Sequence, residues 1–296
     1  MTQAPIAGRS FGNRLSDVFA ARGQLCVGID PHAWLLSDWG LPDSAAGAEA
    51  FGRRVVEAAN GLAGIVKPQV AFYERFGSAG YAALERVLAD ARDAGLLVIA
   101  DVKRGEIGTS MEAYGEAWLT PGSPLEVDAM TVNPFLGVGS LDPSLDLAVA
   151  SGKGVFVLAA TSNPEGKTVQ HAVVTTGPRS GLSVARAILD DVTERNARET
   201  PTAEAELGSI GVVMGATLDL ATFGIDVSMP ATGPLPPVLA PGFGHQGAAI
   251  ADLGSIYGSF AAGVIVSESR SVLSAGPERL SASIARRVTE IGAARG

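Results

Sequence analysis

Eight short apolar runs, separated by helix-like stretches, constrain this chain more than any other feature. They lie at 25–29, 64–66, 96–100, 129–132, 155–159, 210–213, 237–240 and 263–266. Runs this short, rich in Val and Ile and bounded by Gly, Pro, Asn or Asp, read as buried strands. Helical spacing fills most gaps. The spacing predicts a helix over 45–60, with Phe51, Val55 and Ala59 on one face and Asp43 or Ser44 as its cap. A second covers 80–94, turning Tyr81, Leu84, Val87, Leu88 and Ala91 inward and stopping at Gly95. Others cover 182–197 and a closing stretch carrying Leu280, Ile284, Val288 and Ile291. Strands that alternate with helices form parallel βαβ units, and eight such units close most naturally into a (β/α)8 barrel. The expectation is therefore an α/β chain of one domain, 1–296, opening with an N-terminal extension or helix over 1–20. A doubly wound open sheet is the alternative, but GIDPH at 28–32 is not the glycine fingerprint that fold places after its first strand.

Composition narrows the function classes. The formal charge of −9 and the absence of a basic run argue against a nucleic-acid surface. Cys26 is the sole cysteine, which excludes an internal disulfide and suits a reducing compartment; inside LCVGI it reads as a core thiol. The N-terminus lacks the apolar core of a signal peptide, and no segment has the length and apolarity of a membrane span. These features point to a soluble, cytoplasmic protein with no membrane contact.

Almost every apolar run ends in polar, charged or glycine residues, at the strand ends where (β/α)8 barrels keep their chemistry. Asp30 follows the first run, Lys67 the second, and Asp101 and Lys103 the third. Alternate residues of a strand share a face, so Asp101 and Lys103 point the same way. Read alone, ADVKRGEIGTS at 100–110 suits a structural ion pair as well as a catalytic cluster, and Lys67 alone suits a surface lysine. Together the four residues make a nearly neutral array whose members stay ionised despite burial. A second cluster, PGFGHQG at 241–247 and SESR at 267–270, follows runs seven and eight. Barrels commonly hold phosphate there with backbone N–H groups and a basic side chain, here Arg270, while Glu268 points away. His32, His171 and His245 are scattered without metal-ligand spacing, so no metal site is expected. Residues 162–181, rich in Gly and Thr, form either a lid over ligand or a passive surface loop.

These motifs together resemble orotidine 5′-phosphate decarboxylase, in the longer bacterial (type 2) branch of that family. The likeness rests on CVGIDPH at 26–32, VKPQVAFYERFG at 66–77, ADVKRGEIGTS at 100–110, ATSNPEG at 160–166, VVMGAT at 212–217, APGFGHQGA at 240–248 and SESR at 267–270. It implies decarboxylation of orotidine 5′-phosphate to UMP, the last step of de novo pyrimidine synthesis, with no cofactor and no metal. By position, Lys103 would donate the proton to C6, Asp101 would lie beside the leaving carboxylate, and Lys67 would hold Asp101 and a ribose hydroxyl. Asp30 would bind ribose and Ser162 would read the pyrimidine edge. Gln246, Ser269 and Arg270 would grip the phosphate. Glu106 and Ser110 would complete the site across a homodimer.

Two positions depart from the family pattern: Glu106 replaces its usual Asp, and Ser110 its usual Thr. The longer acid could misplace the inter-subunit carboxylate by about an ångström, an error that can cost roughly a hundredfold in rate. An adjusted backbone would make both changes conservative. Two other readings stand beside the decarboxylase: a weakened nucleotide-binding relative, and a sugar-phosphate aldolase or decarboxylase of a related barrel using a lysine Schiff base or Mg²⁺.

Overall fold

In the computed structural model of the chain, which describes residues 9–199, 206–229 and 233–295, eight parallel strands close into a barrel in sequence order. They are β1 (Leu25–Ile29), β2 (Ile65–Pro68), β3 (Leu97–Arg104), β4 (Ala129–Val132), β5 (Gly154–Ala160), β6 (Ile210–Met214), β7 (Val238–Pro241) and β8 (Val264–Glu268). β8 returns to β1, where Cys26 pairs with Ser267, and this contact closes the sheet. The fold is a single-domain (β/α)8 TIM barrel, and each of the eight apolar runs lies on a strand.

The strands are apolar on both faces because both faces are covered. Cys26, Ile65, Leu97, Ile99, Ala129, Phe156, Val213, Leu239 and Ile265 point inward and form one cluster. Alternate residues such as Val27, Val66, Val98, Met130, Val212 and Val266 join a larger cluster beneath the helices. Ser44 caps the helix Ala45–Ala59, its Oγ accepting from the Gly47 N–H at 3.2 Å. The helix Gly77–Asp93 ends just before Gly95, whose φ of 69° needs a residue without a side chain.

The chain starts by sealing the barrel floor. The helix Phe11–Arg22, capped by Ser10, sends Phe11, Leu15 and Phe19 into the inner cluster. Phe11 meets Phe156 edge-on at 5.9 Å, and the backbone at Gly154, where β5 begins, lies against the same ring. Of the expected segment 1–20, residues 1–8 lie outside those described, and the sequence also carries a segment with four prolines, Pro230, Pro234, Pro236 and Pro237, of which 230–232 lie outside them. Two further helices, Gly108–Leu119 and Asp142–Ala150, fill gaps where no helical spacing stood out. No described helix is long and apolar enough to cross a membrane.

Candidate active site

The inward alternation that fills the barrel with apolar side chains continues past the core and turns polar at the strand ends. Beyond Cys26 comes Asp30, beyond Ile65 come Lys67 and Gln69, and beyond Ile99 comes Asp101. Beyond Ala129 come Thr131 and Asn133, and beyond Ile265 come Ser267 and Ser269. All except Cys26, Ile65, Ile99, Ala129 and Ile265 line a chamber of about 1180 Å³ at the C-terminal mouth. Leu158, Val213 and Leu239 give it an apolar wall. The chamber thus joins one wall that excludes water to another dense with charge.

Asp101 stands at the centre of the charged wall, and both its oxygens are saturated. Oδ2 accepts from Lys67 Nζ at 2.9 Å and from Gln69 Nε2 at 3.0 Å. Oδ1 accepts from Lys103 Nζ and from Thr131 Oγ1, the latter at 3.1 Å. Burial alone would raise the Asp101 carboxyl, but the adjoining Lys67 and Lys103 ammoniums outweigh it and hold the group well below the usual carboxylate range. Burial would likewise lower Lys67, and the carboxylates of Asp101 and Asp30 reverse this, keeping Lys67 charged. Lys67 is almost wholly buried, whereas the Lys103 side chain is 46% exposed and opens into the chamber. One lysine is locked beneath Asp101, and the other is presented to whatever enters. Asp30 lines the same space with a buried Oδ1 that has no hydrogen-bond partner among the described residues. Cys26, directly below, is a core thiol that burial pushes up to about 12.

β3 runs beyond its apolar stretch, through Asp101 to Arg104, and is irregular there. Ala100 pairs with Met130 and Arg104 with Val132, so three residues of β3 stand opposite Thr131 alone. Within this bulge Lys103 takes φ of 47°, the one non-glycine residue in the left-handed region among those described. Simple alternation therefore does not aim Lys103; a strained backbone does. Arg104 leaves the other way, pairing with Glu74 and lying over the Tyr114 ring at 5.5 Å.

On the opposite side, Gly242, His245, Gln246, Ser269 and Arg270 line the chamber. Ser269 precedes the short helix Arg270–Leu273, and its buried Oγ has no hydrogen-bond partner among the described residues. β1 approaches this turn so closely that a Cβ on Gly28 would lie 2.7 Å from that of Ser269. Glu268 turns away as expected: its fully buried carboxylate is clasped by Arg287 of the helix Leu280–Arg295, with Nε at 2.8 Å, and accepts from Ser271 Oγ at 2.6 Å. The Glu268 carboxylate is thereby neutralised away from the side where the sequence leads one to expect phosphate.

Of the residues singled out from sequence, Asp30, Lys67, Asp101, Lys103, Ser162, Gln246, Ser269 and Arg270 converge on the chamber. Glu106 and Ser110 do not line it. Glu106 lies past the end of β3, where its carboxylate accepts from the Ile107 N–H at 3.0 Å, and Ser110 is exposed in the first turn of the helix Gly108–Leu119. Sequence reasoning assigned no role to Gln69 or Thr131. Each had a signal: Gln69 stands two residues beyond Lys67, and Thr131 is the lone hydroxyl in the buried run AMTV. His32 packs on Phe72 at 4.3 Å, and burial lowers its basicity; His171 packs on Phe223 at 4.2 Å. Among the described residues no group of three His, Cys, Asp or Glu is placed to hold a metal ion.

Comparison with known proteins agrees with this geometry. The family described as orotidine 5′-phosphate decarboxylase / HUMPS matches residues 23–283. An orotidine 5′-phosphate decarboxylase of Nocardioides sp. is 54% identical over 263 residues, 89% of this chain and 91% of that protein. A crystal structure from Streptomyces avermitilis, provisionally named an orotidine 5′-phosphate decarboxylase, superposes with a TM-score of 0.89 at 49% identity, covering 99% of each chain. Leishmania donovani OMP decarboxylase superposes at 0.73 with 29% identity, covering 97% of this chain and 98% of that one. A charged cluster at the mouth of a closed barrel, matched along nearly its full length by these relatives, leads to one assignment: the chain belongs to the orotidine 5′-phosphate decarboxylase / HUMPS family.

Proposed function

We propose that the chamber decarboxylates orotidine 5′-phosphate to UMP and CO₂, with Lys103 as the proton donor. The carrying observation is the asymmetric clamp on Asp101, with one ammonium buried beneath the carboxylate and a second facing the chamber. Breaking the C6–carboxylate bond leaves an electron pair at C6 with no adjacent π-system to receive it. A fixed cation beside C6 in a site shielded from water meets that need. The Lys103 ammonium lowers the energy of the developing carbanion and then transfers its proton to C6; solvent recharges the amine. Asp101, kept ionised by Lys67 and Lys103, sets a negative charge beside the substrate carboxylate that is relieved as CO₂ departs.

The remaining groups anchor the nucleotide. Asp30 presents an unpartnered acceptor to a ribose hydroxyl, alongside Lys67. Ser162 faces the pyrimidine edge, and Gln246, Ser269 and Arg270 hold the phosphate. Contacts remote from C6 offset the cost of placing the substrate carboxylate against Asp101. Residues 162–181 act as a lid: Ser162, Asn163, Val169 and Gln170 line the chamber, and the exposed apolar Val169 and Val173 would be covered on closure. The reaction in this scheme draws on no cofactor and no metal.

Glu106 and Ser110 serve a second copy of this chain. They lie outside their own chamber, among the exposed apolar side chains of Ile107, Tyr114, Phe135 and Leu136. The loops after β3 and β4 meet where Gly105 packs on Asn133, so these groups share one face suited to a homodimer.

The test is conversion of orotidine 5′-phosphate to UMP in excess EDTA, with Glu106→Asp beside the native protein. Turnover in both is the expected result and shows the longer acid to be tolerated. Turnover in the Asp variant alone makes the native chain a weakened relative, and none in either sinks the decarboxylase reading.

A further inference from the structure

The β3 bulge leaves a structural question that the catalytic roles above do not answer: what holds Lys103 in a backbone conformation that side-chain-bearing residues avoid. A lysine at φ of 47° is strained, and such strain persists only where the surroundings over-determine it. Because residues 101–103 face a single residue of β4, the N–H groups of Val102 and Lys103 have no carbonyl of the regular ladder to reach. Both point to one atom, the Oγ1 of Thr131, at 3.0 and 2.9 Å. The same hydroxyl donates to Asp101 Oδ1 at 3.1 Å. A hydroxyl has two lone pairs and one proton, so this one is used to capacity within three consecutive residues of β3. Thr131 is 1% exposed.

We propose that Thr131 is a positioning residue for the decarboxylation: its hydroxyl holds the β3 bulge so that Lys103 and Asp101 keep their mutual placement. Thr131 touches neither the leaving group nor C6 in this scheme; it acts through Lys103 and Asp101. The two accepted hydrogen bonds fix the peptide groups on either side of Val102. The donated one fixes the carboxylate oxygen that Lys103 also grips. Releasing the bulge lets Lys103 relax toward an ordinary strand conformation and carries its ammonium away from where the reaction needs it. The remaining contacts of Asp101, from Lys67 and Gln69, fall on its other oxygen and do not compensate.

The inference rests on the decarboxylase reading, and its test separates the two. Thr131→Val keeps the shape and loses the hydroxyl, Thr131→Ala loses it without crowding, and Thr131→Ser keeps it without the methyl group. In steady-state assays with orotidine 5′-phosphate, Thr131→Val and Thr131→Ala are expected to lose about a hundredfold in kcat, the scale of an ångström misplacement, with KM within about threefold of native. Thr131→Ser should recover to within about tenfold of native, a smaller deficit than loss of the hydroxyl. UMP affinity, which reads the ribose and phosphate contacts, should stay unchanged in all three. Crystal structures of the Val or Ala variant should show Lys103 out of the left-handed region and its Asp101 contact lengthened. A native-like kcat without the hydroxyl overturns the proposal. So does a Ser variant as slow as Val, since packing of the methyl group would then be the cause. Should the native protein itself fail to turn over substrate, the decarboxylase reading fails, while the Lys103 conformation in the variants still decides what the hydroxyl does.

Discussion

At the scale of single residues, the site divides into groups that react and groups that hold. Lys103 and Arg270 are cations on opposite sides of one chamber and should fail differently. Lys103→Ala is expected to lower kcat by roughly 10³-fold or more, because it removes the proposed proton donor and the cation proposed to face C6, while circular dichroism shows an intact barrel. Arg270→Ala is expected chiefly to raise KM, by about 10- to 100-fold, the worth of a charge-assisted hydrogen bond to phosphate. Intact turnover in the Lys103 variant would remove it as proton donor. Asp101 makes a second residue-scale prediction. Its folded-state carboxyl lies below its unfolded value, so the unfolded chain takes up the proton first as pH falls. Its stabilising contribution is complete above the unfolded value of about 3.9 and declines below it. Urea unfolding of native protein and Asp101→Asn should therefore show a stability difference that is constant above about pH 5 and narrows from there toward about pH 3; a difference that stays constant over that range would contradict the assignment.

At the scale of elements, β8 joins the phosphate side to the body of the fold. The Glu268 carboxylate at its end is wholly buried and held by Arg287 and Ser271. Arg287→Met leaves that charge unpaired and should destabilise the chain by about 3–5 kcal/mol, measured by denaturant unfolding. The turn bearing Ser269 and Arg270 should loosen with it, so KM rises more than kcat falls; an unchanged unfolding midpoint would show the pair to be dispensable. The elements also show what could be read in advance. All eight strands were legible because barrel strands are apolar on both faces, and the helices Ala45–Ala59 and Gly77–Asp93 because their apolar residues repeat at helical spacing. The helix Gly108–Leu119 was not, since it buries only Met111, Gly115, Trp118 and Leu119 and leaves Thr109, Ser110 and Tyr114 outside. The acid–base residues at the strand ends could be found because charge next to a buried run is conspicuous. The bulge could not: nothing in the order Asp101, Val102, Lys103 announces a left-handed lysine, and the reason for it stands on another strand, at Thr131.

At the scale of the whole molecule, the proposed homodimer makes a prediction that no single chain can satisfy. Glu106→Ala and Lys103→Ala proteins should each be nearly inactive. Mixed and allowed to exchange subunits, they should recover about a quarter of native activity, because half the dimers are then hybrid and each hybrid holds one undamaged site. No recovery on mixing, with exchange verified by mass, would place Glu106 in its own subunit's chemistry or in none. The floor sealed by Phe11, Leu15 and Phe19 bears on the same molecule in motion. With that end shut, the chamber is a cul-de-sac: nucleotide, carbon dioxide and the water that recharges Lys103 share one doorway. In the proposed scheme UMP spans the mouth from Asp30 to Arg270, so neither gas nor fresh proton would pass freely and each catalytic cycle would reset only as the product backs out. Exit traffic then sets the tempo at saturating substrate, and turnover should slow in proportion as the medium is thickened with sucrose.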